Sequence, residues 1–176
     1  MAAARRLGGD GVQINWTLVA GLAALSLAAA ANWDAGTTAR QRRGAWRTLT
    51  LVYLVLLAEL IGDMRFGAVA GIDAALPGVG RHMVQIGLAM LILVAAGGAT
   101  IAIVRIGRRS PWFATAGMAA LAMAALFGVE ILSVGPVGTL LYQPVGPIML
   151  IGWLWLACGA AAVAIAILAV RSVRTR

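Results

Sequence analysis

The chain has 176 residues, of which 62% are hydrophobic and only 11% are charged. Soluble domains usually carry about 25% charged residues, and a soluble core of this length could not hide so much apolar surface. The composition therefore predicts a single multi-pass transmembrane domain over residues 1–176. The net charge is +8, and all of the basic residues other than His82 are arginines. Because the arginines border apolar segments, we interpret them as membrane anchors and predict no nucleic-acid partner.

Five apolar segments are long enough to cross about 30 Å of hydrocarbon, which takes roughly 20 residues of helix. The predicted fold class is thus an all-α membrane protein, a bundle of five transmembrane helices. The predicted spans are residues 14–31, 46–62, 83–104, 112–134 and 148–170. An alternative for the first segment is a cleaved signal peptide, because Arg5 and Arg6 precede it and small residues end at Asn32. Cleavage there would invert every later loop.

The arginines predict the orientation of the bundle. Positive charge beside apolar spans marks the cytoplasmic side, and alternate connections of this chain are basic. We therefore expect an N-terminus outside and a C-terminus in the cytoplasm, with the protein in the cell inner (plasma) membrane. Three clusters on the cytoplasmic side are predicted to anchor the protein and to face lipid headgroups: Arg40, Arg42, Arg43 and Arg47; Arg105, Arg108 and Arg109; Arg171, Arg174 and Arg176.

The other polar residues fall on the outer half of the spans, and the inner half carries almost none. An ionised carboxylate in hydrocarbon costs about 2.5–3.5 kcal/mol or more, so Glu59 and Glu130 need partners or protons. Glu59, Gln85 and Glu130 are expected at similar depth. The sequence predicts an outer polar cluster: Glu59, Asp63, Arg65, Arg81, His82, Gln85, Glu130, Ser133 and Tyr142. Three interpretations stay open, namely a structural ion-pair network, a pocket open to the periplasm, and a contact with a partner subunit.

Carboxylates and one imidazole suit divalent metals, so a metal site from Glu59, Asp63, His82 and Glu130 is chemically conceivable. One histidine and no defined spacing give it little support, and we assign no metal. Cys158 is the only cysteine and His82 the only histidine. This excludes an internal disulfide, a cysteine metal cluster and a haem held by two histidines of one chain. No cofactor is predicted.

Two connections differ from plain hydrophilic loops. After the second span, apolar residues from Phe66 to Val79 recur at intervals of three or four, which predicts a short interfacial helix; an irregular loop of small residues is the alternative. The apolar segment 135–147, rich in Gly and Pro, is expected to fold over the polar cluster as a lid or to contact a partner. Tyr142 would then donate its hydroxyl inward.

Small and aromatic residues within the spans predict contacts. Some glycines should let helices approach closely: Gly97, Gly98, Gly117 and Gly159. Some tryptophans should lie at headgroup level: Trp16, Trp33, Trp46 and Trp112.

No nucleotide loop, zinc motif, nucleophile elbow or cysteine redox pair occurs in the sequence. The small size and short loops favour a non-catalytic accessory or structural subunit of a larger membrane complex, with membrane lipids and a protein partner or second copy around it. A small transporter or channel, proton-coupled through Glu59 or Glu130, is one alternative. A membrane enzyme with a periplasm-facing polar site is the other, and the lack of a motif favours a protein that is not an enzyme.

Overall fold

The computed structural model describes residues 15–38, 43–62, 71, 75, 81–107, 110–132 and 135–174, and it leaves out some side chains in these ranges, such as those of Arg81, His82 and Gln85. The elements follow in chain order: α1 (Trp16–Thr38), α2 (Arg43–Gly62), α3 (Arg81–Gly107), α4 (Pro111–Leu132), α5 (Gly135–Leu141), β1 (Pro144–Val145), β2 (Ile148–Met149) and α6 (Leu150–Arg174).

Five of these helices are long and apolar enough to cross a membrane, namely α1, α2, α3, α4 and α6. At 1.5 Å per residue they are about 30 to 40 Å long, which matches the hydrocarbon thickness. The prediction of a multi-pass helical membrane protein is thereby confirmed. The predicted interfacial helix between the second and third spans lies almost entirely outside the described residues.

The helices differ from the predicted spans by up to seven residues at their ends, and two of these differences have a clear structural cause. The first span continues to Thr38 instead of ending at residue 31, because Asn32 Nδ2 donates to the Ala28 carbonyl at 2.7 Å and stays in the helix. The last span begins at Leu150 instead of residue 148. The two residues before it pair as a strand with Pro144 and Val145, and Gly146 makes the turn with a φ of 72°, a value that favours glycine.

Close contacts fix the relative directions of the helices. Gly36 lies against Trp46 and Gly21 against Leu60, so α1 and α2 are antiparallel. Gly152 lies against Thr17 and Gly159 against Ala24, so α1 and α6 are parallel.

The antiparallel pairing of α3 and α4 follows from Gly117 and Gly128 of α4, which lie against Ile103 and Ile92 of α3. One end of the bundle therefore carries the C-termini of α1, α3 and α6. It also holds four arginines whose side chains are described, so we call it the arginine end: Arg43, Arg47, Arg105 and Arg171. The opposite end, which holds Glu59 and Glu130, is the carboxylate end.

The core lies between α1, α2, α4 and α6, which pack as a four-helix bundle. Near the arginine end, Trp46 and Phe113 meet edge to face with their ring centroids 5.9 Å apart. Trp46 is 3% exposed, so its predicted headgroup position was wrong: the ring fills the core. Near the carboxylate end, Phe127 and Trp155 stack at 5.5 Å. The largest wholly buried side chains lie in the core: Tyr53, Leu25, Met123, Ile151 and Asn32.

Helix α3 lies outside this bundle. Its one extensive neighbour among the described elements is α4, and no residue of Ala89–Gly107 is buried. The glycines predicted to mediate helix contacts divide accordingly. Gly117 and Gly159 pack against neighbouring helices, whereas a Cβ built on Gly97 or Gly98 meets nothing within 4 Å. The two α3 glycines thus make no close contact with the other described helices.

Candidate functional site

Glu130 and Tyr142 are brought together at the carboxylate end. Glu130 is in the last turn of α4 and only 6% exposed. The Tyr142 hydroxyl donates to Glu130 Oε1 at 2.8 Å, which confirms the predicted inward donation. A hydrogen bond to a carboxyl group in an apolar environment offsets part of the cost of burying it.

The segment that carries Tyr142 forms a cap, which we define as α5 and the β-hairpin, residues 135–149. Its backbone is tied down at three points besides Tyr142. The Met149 amide donates to Thr17 Oγ1 at 3.0 Å, Trp153 Nε1 donates to the Val145 carbonyl at 2.9 Å, and the Leu150 amide donates to the Gln143 carbonyl at 3.0 Å. The predicted lid is therefore a fastened cap, held by side chains of α1, α4 and α6.

Glu59 lies one turn before the end of α2 and is half-buried, with Oε2 inside the protein. Its neighbour Leu60 lies against Gly21, which also contacts Trp155. Because Trp155 stacks on Phe127, Glu59 is at the level of that ring pair. Glu130 follows three residues after Phe127, so it lies about 4.5 Å nearer the end of the bundle. The two carboxylates thus differ in depth by less than one helical turn, which is consistent with the similar depth expected from the sequence.

The structure does not describe the side chains of the other members of the predicted outer polar cluster. Asp63, Arg65 and Ser133 lie outside the described residues. Arg81, His82 and Gln85 lie in the first two turns of α3, and their side chains are not described. Among the described residues no group of three His, Cys, Asp or Glu side chains is placed to hold a metal. Two of the four residues considered as metal ligands, Asp63 and His82, are not among the described side chains.

The half of the bundle nearer the arginine end is less apolar than predicted. Asn32 and Thr50 are buried there, and Tyr53 is wholly buried near the middle of α2. Thr50 Oγ1 donates to the Trp46 carbonyl at 3.2 Å. Asn32 Oδ1 and the Tyr53 hydroxyl find no hydrogen-bond partner within the described part of the chain. Helical spacing would have indicated Asn32, which follows Ala24 and Ala28 at intervals of four on the face that α1 buries.

Three described polar side chains near the carboxylate end make hydrogen bonds with the cap. Glu130 holds the cap, and Thr17 and Trp153, which sequence patterns did not single out, hold the hairpin.

The fold and the buried carboxyl group define a multi-pass helical membrane protein with a hydrogen-bonded cap at one end. Comparison of the chain with protein-family models, with curated proteins and with solved structures found no match.

Proposed function

We propose that the protein is a non-catalytic accessory subunit of a larger membrane complex and that it binds its partner through α3. The observation that carries the proposal is the position of α3. Among the described residues the helix packs on α4 through one face, with Ile92 and Ile103, while most of its other described side chains are apolar and exposed. The four-helix bundle is complete without it.

The face of α3 that points away from α4 has the shape of a helix-binding surface. Gly87 and Gly98 lie on it, and a Cβ added at either meets nothing within 4 Å. Larger apolar residues border the glycines, among them Met90, Val94 and Ile101, all exposed by more than half. Small residues let a second transmembrane helix approach closely and gain dispersion contacts. A partner helix seated here would fill the depressions that the glycines leave.

The charge on this face favours a partner of different sequence over a second copy. Arg105 lies seven residues after Gly98, two turns along the same face, and it is exposed. A symmetric parallel pair of α3 helices would bring Arg105 opposite its own copy, which is unfavourable for like charges. A partner with an acidic residue at that level would pair with it.

The interior gives the transporter alternative little support. Large side chains fill the middle of the four-helix bundle, so the described residues offer no continuous polar path. The enzyme alternative gains no specific support from the hydrogen bond between Tyr142 and Glu130, which joins the cap to α4.

The proposed orientation keeps the arginine end in the cytoplasm and the protein in the inner (plasma) membrane. Its support is the collection of Arg43, Arg47, Arg105 and Arg171 at one end, which the rule relating positive charge to the cytoplasmic side interprets as inside.

A photocrosslinking experiment tests the partner surface. A photoreactive amino acid replaces Ile101 on the outer face of α3, which is 56% exposed. In a matched control it replaces Val55, a lipid-facing residue of α2 that is 66% exposed. Irradiation of intact membranes should join the Ile101 variant to one distinct protein, and the Val55 variant to lipid alone. A crosslink from Ile101 only to a second copy, or identical patterns from both positions, would contradict the proposal.

A further inference from the structure

We propose that the lipid-facing surface of α1 and α2 at the arginine end binds one anionic phospholipid, whose phosphate lies between Arg43 and Arg47. This site is independent of the partner surface on α3, since it lies on other helices.

Arg47 is held in place by an aromatic ring. Its guanidinium carbon lies 5.6 Å from the centroid of the Trp33 ring, across the α1–α2 contact. A cation over an indole face is attracted by the ring quadrupole, and both side chains are exposed. The ring therefore favours one position of the guanidinium at the protein surface.

Arg43 adds a second guanidinium on the same face. It lies four residues before Arg47 in α2, hence one turn closer to the end of the bundle. Within the described part of the chain no carboxylate forms an ion pair with either arginine, although Asp34 is exposed next to Trp33. The planar fork of arginine matches phosphate oxygens in a two-donor geometry. Two guanidiniums one turn apart, at a helix end that meets the headgroup layer, thus form an anion site.

The surface next to the arginines selects a lipid over a soluble anion. Leu51 and Leu54 continue the same face of α2 toward the bundle centre, at four and seven residues after Arg47. They are 60% and 45% exposed. A phospholipid places its phosphate on the arginines and its acyl chain along these leucines, whereas inorganic phosphate or an acidic peptide gains nothing from them.

The test follows thermal unfolding of the purified full chain in detergent during titration with phosphatidylglycerol. Parallel titrations use phosphatidylcholine and inorganic phosphate. Phosphatidylcholine shows whether binding needs a net negative headgroup, and inorganic phosphate shows whether it needs a lipid. The variant carries Arg43→Gln and Arg47→Gln. The matched control is Arg105→Gln, which removes an arginine from the same end of the bundle on α3.

At a concentration near 100 times Kd, phosphatidylglycerol should raise the Tm of the wild type and of the Arg105→Gln control by roughly 5–10 °C. The double variant should lose at least half of that shift, and phosphatidylcholine and inorganic phosphate should have little effect on any form. Equal shifts in the double variant and the wild type would overturn the proposal, as would an equal shift with phosphatidylcholine or with inorganic phosphate. An equal loss in the control would show a diffuse charge effect and would overturn it too.

Native mass spectrometry of the wild type gives a readout that does not depend on how the variants fold. The wild type should retain one phosphatidylglycerol in preference to phosphatidylcholine from an equal mixture. Equal retention of the two lipids would contradict the assignment.

Discussion

The hydroxyl of Tyr142 donates to Oε1 of Glu130 at 2.8 Å, and this bond joins the cap to the last turn of α4. The carboxyl group is nearly enclosed by protein, whereas the tyrosine ring is partly exposed. A carboxyl group that is costly to bury thus receives a hydrogen bond from the cap. This bond supports the interpretation of Glu130 as part of a structural hydrogen-bond network.

Tyr142→Phe should lower the stability of the protein, because it removes a donor from a buried carboxyl group. The expected loss is about 1–3 kcal/mol, which for a chain of this size corresponds to a fall in Tm of roughly 3–10 °C. Thermal unfolding in detergent, followed by tryptophan fluorescence, measures it.

Tyr53→Phe is the matched control for that change. Tyr53 is wholly buried, and its hydroxyl finds no hydrogen-bond partner within the described residues. Removing a hydroxyl that makes no bond relieves a desolvation penalty, so the Tm should stay unchanged or rise. A larger loss from Tyr53→Phe than from Tyr142→Phe would show that our account of the buried hydroxyls is wrong.

Thr17→Val should loosen the cap with little effect on the bundle. The substitution keeps the shape of the side chain but removes the acceptor for the Met149 amide, which is a bond between α1 and the hairpin. Hydrogen exchange followed by mass spectrometry should show faster exchange over residues 142–149 and unchanged exchange in the middle of α6. Unchanged protection of the hairpin would contradict this prediction, because its other contacts would then hold it in place without Thr17.

Gly159→Ala should destabilise the α1–α6 contact. A Cβ at this position would lie 2.8 Å from Ala24 Cβ and 3.0 Å from two Ala24 backbone atoms, so the helices must move apart. Overpacking of this kind costs about 1–3 kcal/mol. Gly98→Ala is the comparison in α3, where the added Cβ has open space and alanine favours the helix by up to about 1 kcal/mol. Its Tm in detergent should be unchanged or higher. Equal destabilisation by both substitutions would contradict the packing described here.

The orientation predicts opposite labelling of the two ends. In a background without Cys158, Gln143→Cys in the cap should react with a membrane-impermeant maleimide in intact cells. Gly44→Cys at the arginine end should react only after lysis. Both positions are exposed, so accessibility of the thiol does not limit either reaction. The reverse pattern would place the arginine end outside.

The number and approximate position of the spans could be predicted from the sequence, because the cost of burying charge in lipid limits where a membrane helix can run. The end of α1 could not be predicted from the sequence. Asn32 is typical of a helix boundary, but in the structure its side chain donates to the Ala28 carbonyl and the helix continues. The contact between Tyr142 and Glu130 could be anticipated from the short connection between them. The contact between Thr17 and Met149 joins residues 132 positions apart, and no local pattern indicates such a pair.

The peripheral position of α3 was also beyond prediction. Lipid tails are as apolar as leucine, so a helix that faces lipid and one that faces the core have similar sequences. Gly98 and Gly159 show the consequence. Both sit among alanines in a span, yet one contacts Ala24 closely and the other faces away from the bundle.

Affinity extraction in a gentle detergent tests the central proposal, the partner bound to α3, most directly. The tagged wild type should recover one additional membrane protein in a fixed ratio. Gly98→Leu, which fills the outer face of α3, should release that protein while the chain itself stays folded. Ala160→Leu, at an exposed position of α6, should retain it. A wild type that is extracted alone, or a partner that Gly98→Leu retains as well as Ala160→Leu does, would contradict the account.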